Sequence, residues 1–213
     1  MIPAVEFVGV SWGPDGGDDI LSGLSFSVRP GLVTAICGTD RAGSAALLRL
    51  VSRREPPRRG TVRLMGRDIW LMDAPEAAQC LAVVEEEHHG DLELTVRQVA
   101  SRGPLPHRRH PASRLPAPGG GDARAIDAAL ARMELTALAE TPFAELSAGD
   151  RQRVLIARAL ASEPQVVVLD SPRPEMLQSL RASGLTVIAT LREPSPAVDL
   201  TLVVSQGRLT AEA

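Results

Sequence analysis

Apolar positions along the chain fall into short blocks whose spacing changes from alternating to helical and back, with turn residues between them. Val5–Val10 and Leu24–Val28 carry alternating or short apolar runs on either side of the turn-rich stretch Gly13–Asp19, and are predicted as strands. Arg29-Pro30-Gly31 reads as a tight turn into Leu32–Cys37, a continuous and β-branched run suited to a strand covered on both faces. A glycine-bounded loop, Gly38–Gly43, then leads into a helix over Ala45–Val51, and Thr61–Met65 and Leu81–Val84 follow as strands. Thr95–Ser101 opens a helical region. From Gly103 to Gly121 the chain is dense in Pro, Gly, Arg and His, which predicts a long loop. Helices return at Asp122–Met133 and Gly149–Ala161. Gln165–Asp170, Gly184–Thr190 and Leu200–Ser205 are apolar strands, the last of the chain ending at the Gln206-Gly207 turn. Strands alternating with helices predict an α/β fold with a mainly parallel sheet, and no internal repeat is present.

Composition narrows the function classes. The 213 residues are long enough for one α/β domain with a small insertion and short for two independent cores. Hydrophobic residues make up 44% and charged residues 23%, ordinary values for a globular chain. A net charge of −3 offers no basic surface for nucleic acid. No apolar run reaches the roughly 20 residues of a membrane span, and Met1–Val10 has no secretory pattern. The expectation is a cytoplasmic protein whose membrane role, if any, comes through a partner. Cys37 and Cys80 lack metal-ligand spacing. His88, His89, His107 and His110 lie among charged and Pro-rich residues and read as a solvated loop, with a metal site as the alternative. Lys, Asn and Tyr are absent and every basic residue is Arg. A bias against A/T-rich codons explains Lys giving way to Arg, but not to Ser.

That distinction bears on the first motif. Leu32–Leu48 is strand, glycine loop and helix N-terminus in order, an arrangement whose exposed N–H groups and helix dipole favour an anion. A working P-loop reads G-x-x-x-x-G-K-[ST]; here the glycines are in frame, but Ser44 stands at the Lys position and Ala45 at the Mg²⁺-ligating hydroxyl. Taken alone, this is better read as an ordinary strand-to-helix turn. Ser147 and Asp150 form a capping-box pattern at the start of a helix, which alone needs only folding to explain it. Val166–Asp170 is an apolar strand ending in an acid, placed to hold Mg²⁺ through water or to cap the segment at Pro172.

The order and spacing of these three elements resemble the nucleotide-binding domains of ABC transporters. Leu146–Leu169 resembles the signature helix of that family leading into the Walker B strand. Arg29-Pro30-Gly31 and Gly60–Asp68 fit as well, and Val96–Arg109 with its Pro-His-Arg resembles importers of iron chelates, haem or cobalamin. The resemblance implies a P-loop NTPase core over residues 1–213, with a small antiparallel β subdomain and a helical insertion at about residues 88–146. It also implies ATP and Mg²⁺ as ligands, with Trp12 stacking on adenine. Gly38, Thr39, Asp40, Arg41, Ala42, Gly43, Ser44, Ala45 and Ala46 would form the phosphate loop. Ser147, Ala148 and Gly149 would form the signature, Asp170 the Mg²⁺ acid and Glu86 the Q-loop residue, with a weaker tie to the metal. Ser171 falls at the catalytic glutamate and Arg192 at the switch histidine.

Ser44, Ala45, Glu86, Ser171 and Arg192 all depart from the family pattern. Losing one preorganised contact to a reacting phosphate costs roughly 3–4 kcal/mol in the transition state. Ser171 cannot serve as a general base near neutral pH. The segment after Ser171-Pro172 is short, Leu177 stands near a family Asp that touches the opposing subunit, and a second shortening lies between Arg192 and Leu200. The implied protein is a nucleotide-binding subunit with impaired hydrolysis, peripheral on the inner face of the membrane. It would act with a permease and a second nucleotide-binding subunit, a heterodimer rather than a homodimer. The alternatives are a conventional ATPase in which Arg41 or Arg192 compensates, and a non-hydrolysing interaction or regulatory protein.

Overall fold

The computed structural model describes residues 1–38, 41–85, 93–102, 120–205 and 207–212. The chain divides into two compact units, Met1–Glu85 with Gln165–Ala213, and Glu86–Pro164. The second unit takes in the helix at Ala148–Leu160, beyond the bounds of 88–146 expected for the insertion.

The first unit holds two sheets. Strands β1 (Val5–Trp12), β2 (Leu21–Val28), β4 (Arg59–Leu64) and the short β5 (Arg67–Asp68) form an antiparallel sheet in the order β2-β1-β4-β5. Phe7 and Phe26 stack at 4.5 Å between ring centroids across the β1–β2 pair. Gly60 lies at φ +79° where β4 crosses β1, and a Cβ there would sit 2.3 Å from the Gly9 carbonyl oxygen. Only glycine fits such an approach.

The other sheet runs β10-β9-β3-β8-β7-β6, from β3 (Val33–Gly38), β6 (Leu81–Val84), β7 (Val166–Asp170), β8 (Thr186–Leu191), β9 (Leu200–Ser205) and β10 (Arg208–Glu212). Pairing is parallel from β6 to β9, and only β10 joins antiparallel. The α/β class and mainly parallel sheet match the sequence pattern. The chain does not end its strands at Ser205: β10 hairpins back through Gly207, whose φ of +71° suits glycine. The turn at Gly31 is as predicted, with φ +75° and its N–H given to the buried Thr186 hydroxyl at 3.0 Å. Val33, Ala35 and Ile36 of β3 and Val166–Leu169 of β7 are buried, each full burial of a Val, Leu or Ile contributing about 1.5–3 kcal/mol.

Helix α1 spans Arg41–Val51. Two further helices were not predicted: α2 (Ala74–Cys80), capped by the Asp73 carboxylate on Glu76 N–H at 2.7 Å, and α6 (Pro174–Ala182). Both carry a proline in the first turn, Pro75 in α2 and Pro174 in α6, where its missing N–H has no helical partner. At the N-terminal end of β3, Asp199 accepts from the Val33 N–H at 2.8 Å and from Arg181 Nε at 2.7 Å, fixing the start of that strand.

The second unit is helical: α3 (Val96–Ser101), α4 (Gly120–Arg132) and α5 (Ala148–Leu160) pack on one another. Thr95 and Gln98 make a reciprocal capping box on α3. Past the end of α4 the chain turns at Glu134, which is left-handed at φ 58°, with Leu135 N–H returning to Leu130 O at 2.8 Å. Leu135 is wholly buried, the apolar contact that accompanies this type of helix end. Arg97 ties α3 to Asp127 of α4 and to Glu140, and both carboxylates push its guanidinium pKa upward.

Candidate functional site

The C-terminal ends of parallel strands are where an open α/β sheet places its ligand. Here β3 ends at Gly38, β8 at Leu191 and β7 at Asp170. Cys37 pairs with Leu191, the last residue of β8, and Arg192 follows it directly in the chain. Arg192 and the neighbouring Glu193 are exposed. Helix α1 starts at Arg41 with no acid in its first turn. Gly43 is buried, Ser44 half-buried, Ala45 exposed and Ala46 buried. Thr39, Asp40 and Glu86 lie outside the described residues, as do the four histidines and residues 103–119; Arg41 and Ala42 are placed by backbone only.

Asp170 is half-buried, and its Oδ1 accepts from the Thr190 hydroxyl at 2.7 Å and from the Ser171 hydroxyl at 3.3 Å. Ser171 stands in the left-handed region, φ 48°, and its N–H reaches the Thr190 carbonyl and hydroxyl, each at 3.1 Å. Thr190 is 4% exposed. A threonine inside a largely apolar strand gives no sequence signal; the lateral pairing of Asp170 with Thr190 shows its role. Trp12 is 7% exposed and belongs to the core with Leu21 and Leu24.

In the helical unit, Ser147 caps α5. Its hydroxyl accepts from the Asp150 N–H at 3.1 Å and donates to the Asp150 carboxylate at 2.6 Å. Arg153 approaches the same carboxylate at 3.5 Å. Arg151 donates to Ala144 O at 2.6 Å and lies over the Phe143 ring, which fixes the turn leading into the cap. Ser147 and Ala148 are exposed and Gly149 is half-buried.

Among the described residues, the site offers few donors to a divalent cation. Mg²⁺ takes about six oxygens in a near-ideal octahedron, several of them waters, with one or two carboxylates, substrate phosphates and, in a P-loop, a Ser or Thr hydroxyl. Ala45 has no oxygen to give, and one oxygen of Asp170 is occupied by two hydroxyls. Among the described residues no three His, Cys, Asp or Glu side chains converge.

The family model described as ABC transporter matches residues 21–173. The chain belongs to the ABC transporter ATP-binding family. The hemin import ATP-binding protein HmuV of Rhodococcus jostii (strain RHA1) is 32% identical over 210 residues, covering 92% of this chain and 70% of that protein. The cobalamin import ATP-binding protein BtuD of Halobacterium salinarum (strain ATCC 29341 / DSM 671 / R1) is 32% identical over 177 residues, 83% of this chain and only 43% of that protein. The structure of cbiO1 from Clostridium perfringens, part of the ABC transporter complex cbiONQ, superposes with a TM-score of 0.83 at 23% identity, covering 99% of this chain and 88% of that one. That likeness is one of fold: the P-loop core of ABC ATPases. ATP and Mg²⁺ are the usual ligands of the family. No helix among the described residues is long and apolar enough to cross a membrane.

Proposed function

We propose that this chain is the nucleotide-binding subunit of an importer for an iron chelate, haem or cobalamin, and that it does not hydrolyse ATP at its own site. The observation that carries this reading is the contrast between two ends of the family's machinery. Ser44, Ala45 and Ser171 supply neither the fixed charge, the cation ligand nor the base of phosphoryl transfer. The signature at Ser147–Gly149 is intact as a capped helix start with its polar groups at the surface. In this family the signature of one subunit faces the nucleotide held by another. A chain with a disabled phosphate loop and a formed signature therefore fits a heterodimer, completing the site of a competent partner beneath a membrane permease. Its place is then the inner face of the membrane, held there by the permease. The names of the HmuV and BtuD relatives support the substrate class.

Arg192 favours a second reading. It is exposed just after the end of β8, the strand paired with β3, and would bring a charge that Ser44 lacks, making the chain a slow ATPase in its own right. Calorimetric titration of the purified chain with ATP, with and without Mg²⁺, and phosphate release by the chain alone separate the two. The first reading expects no Mg²⁺-dependent binding at micromolar levels and no release. Steady release lost on Arg192→Gln establishes the second.

A further inference from the structure

We propose that Asp170, the acid at the end of β7, is a structural latch in this chain and not a cation ligand. The hydrogen bonds around it close a ring with a fixed direction. Ser171 N–H is given to Thr190 Oγ1 at 3.1 Å, so the single Thr190 proton is the one that reaches Asp170 Oδ1 at 2.7 Å. The Ser171 hydroxyl adds a second donor to the same oxygen at 3.3 Å. Oδ1, holding two hydroxyl donors, is satisfied without a metal; Oδ2 alone, with Ala45 carrying no hydroxyl, gives a cation a single protein oxygen from the described residues.

Thr190 has no other reason to be polar. It is buried in a strand whose neighbours Val187, Ile188 and Ala189 are apolar, and Asp170 stands directly beside it in the β7–β8 register. The ring joins the ends of two strands and holds Ser171 at φ 48°, a conformation a non-glycine residue keeps only when its surroundings impose it. From there the chain enters the buried Pro172 and then α6. The latch therefore sets, from within the fold, the position of the residue that the family resemblance places at the catalytic glutamate. This inference concerns the chain's own residues and stands whether or not the partner reading holds.

Thr190→Val removes the hydroxyl at nearly constant volume. Melting of the full chain is compared in EDTA and in millimolar MgCl₂ or MnCl₂, for wild type, Thr190→Val, Asp170→Asn and the double variant. Free Mn²⁺ is followed in parallel by paramagnetic resonance. The expected results are a wild-type midpoint that is the same in all three solutions and a free Mn²⁺ signal untouched by the protein. Each single variant should melt roughly 2–6 °C lower, and the double variant no lower than the worse single one. If Asp170→Asn does not fold, the Thr190→Val midpoint and the Mn²⁺ signal still decide. A wild-type midpoint raised by Mn²⁺, a signal quenched by the wild type, a Thr190→Val midpoint equal to wild type, or additive losses would each overturn the latch.

Discussion

Ser147→Ala separates what the fold needs from what a partner needs. The side chain makes two bonds, one from the Asp150 N–H at 3.1 Å and one to the Asp150 carboxylate at 2.6 Å. Losing an N-cap costs about 1 kcal/mol. The carboxylate left behind has a side chain 29% exposed and regains water, so the second bond adds less than a buried one would. The total is about 1–2 kcal/mol. In a chain of this length each kcal/mol moves the melting midpoint by roughly 2–4 °C. Even the larger loss leaves about 3 kcal/mol of a stability near 5 kcal/mol, enough to keep more than about 99% of molecules folded. Turnover of the assembled transporter is a different matter. If the Ser147 hydroxyl meets the partner's nucleotide, its removal takes away a preorganised contact and turnover falls by about 100-fold or more. The assay is ATP hydrolysis by the complex of this chain, its permease and an intact ATPase subunit, beside the melting curve of the chain alone. Turnover within about twofold of wild type, with the midpoint lowered as calculated, would refute the role in a partner's site. Asp150→Asn is the companion variant: it releases the Ser147 proton from a charged acceptor, and turnover should hold or rise.

Other perturbations test the frame around the site. Asp199→Ala leaves the buried Val33 N–H without a partner and should cost about 2 kcal/mol in urea unfolding, whereas Arg181→Ala removes a half-exposed ion pair and should cost less than about 1 kcal/mol; equal losses would contradict this division. Glu134→Gly should raise the melting midpoint, by about 0.5–1 kcal/mol of stability, because the left-handed helix end at φ 58° favours glycine, and a lowered midpoint would count against it. Burial and the Glu76 carboxylate raise the Cys80 thiol pKa while Arg67 lowers it, so at pH 8 native Cys80 should alkylate more slowly than in urea, and more slowly still in Arg67→Ala.

The apolar runs of β3, β7 and β8 were legible because a strand buried on both faces leaves an unbroken signature, and those three strands position the candidate site. The Ser147–Asp150 cap was legible because capping is local, fixed by residues three apart. Helix α2, seven residues with a proline in its first turn, is too short to show a helical period, and β10 carries only Leu209 as a large apolar residue among Arg208, Thr210 and Glu212. The Thr190–Asp170 contact was not legible for another reason. The two residues are 20 apart in sequence and meet only through the parallel register, which no local pattern encodes. The sequence likewise assigns Trp12 to adenine by position, while the fold spends nearly all of its surface on the core.

Because Ser147 caps α5, folding alone accounts for a serine there, and its presence cannot separate a signature from a well-made helix start. Gly149 can. It lies inside the first turn of α5, outside the set of glycines with positive φ, so the backbone makes no demand for glycine at that position. Glycine in a helix costs about 0.5–1 kcal/mol relative to alanine, partly through the freedom it keeps in the unfolded chain. A residue that weakens its own helix has to be explained from outside it, by something that approaches the backbone too closely for a Cβ. Gly149→Ala should therefore move two readouts in opposite directions: the chain melts a few degrees higher, and hydrolysis by the assembled transporter falls. A purely structural helix start predicts the first change without the second. Higher stability with unchanged turnover would leave the partner-facing signature without support, whatever Ser147→Ala had shown.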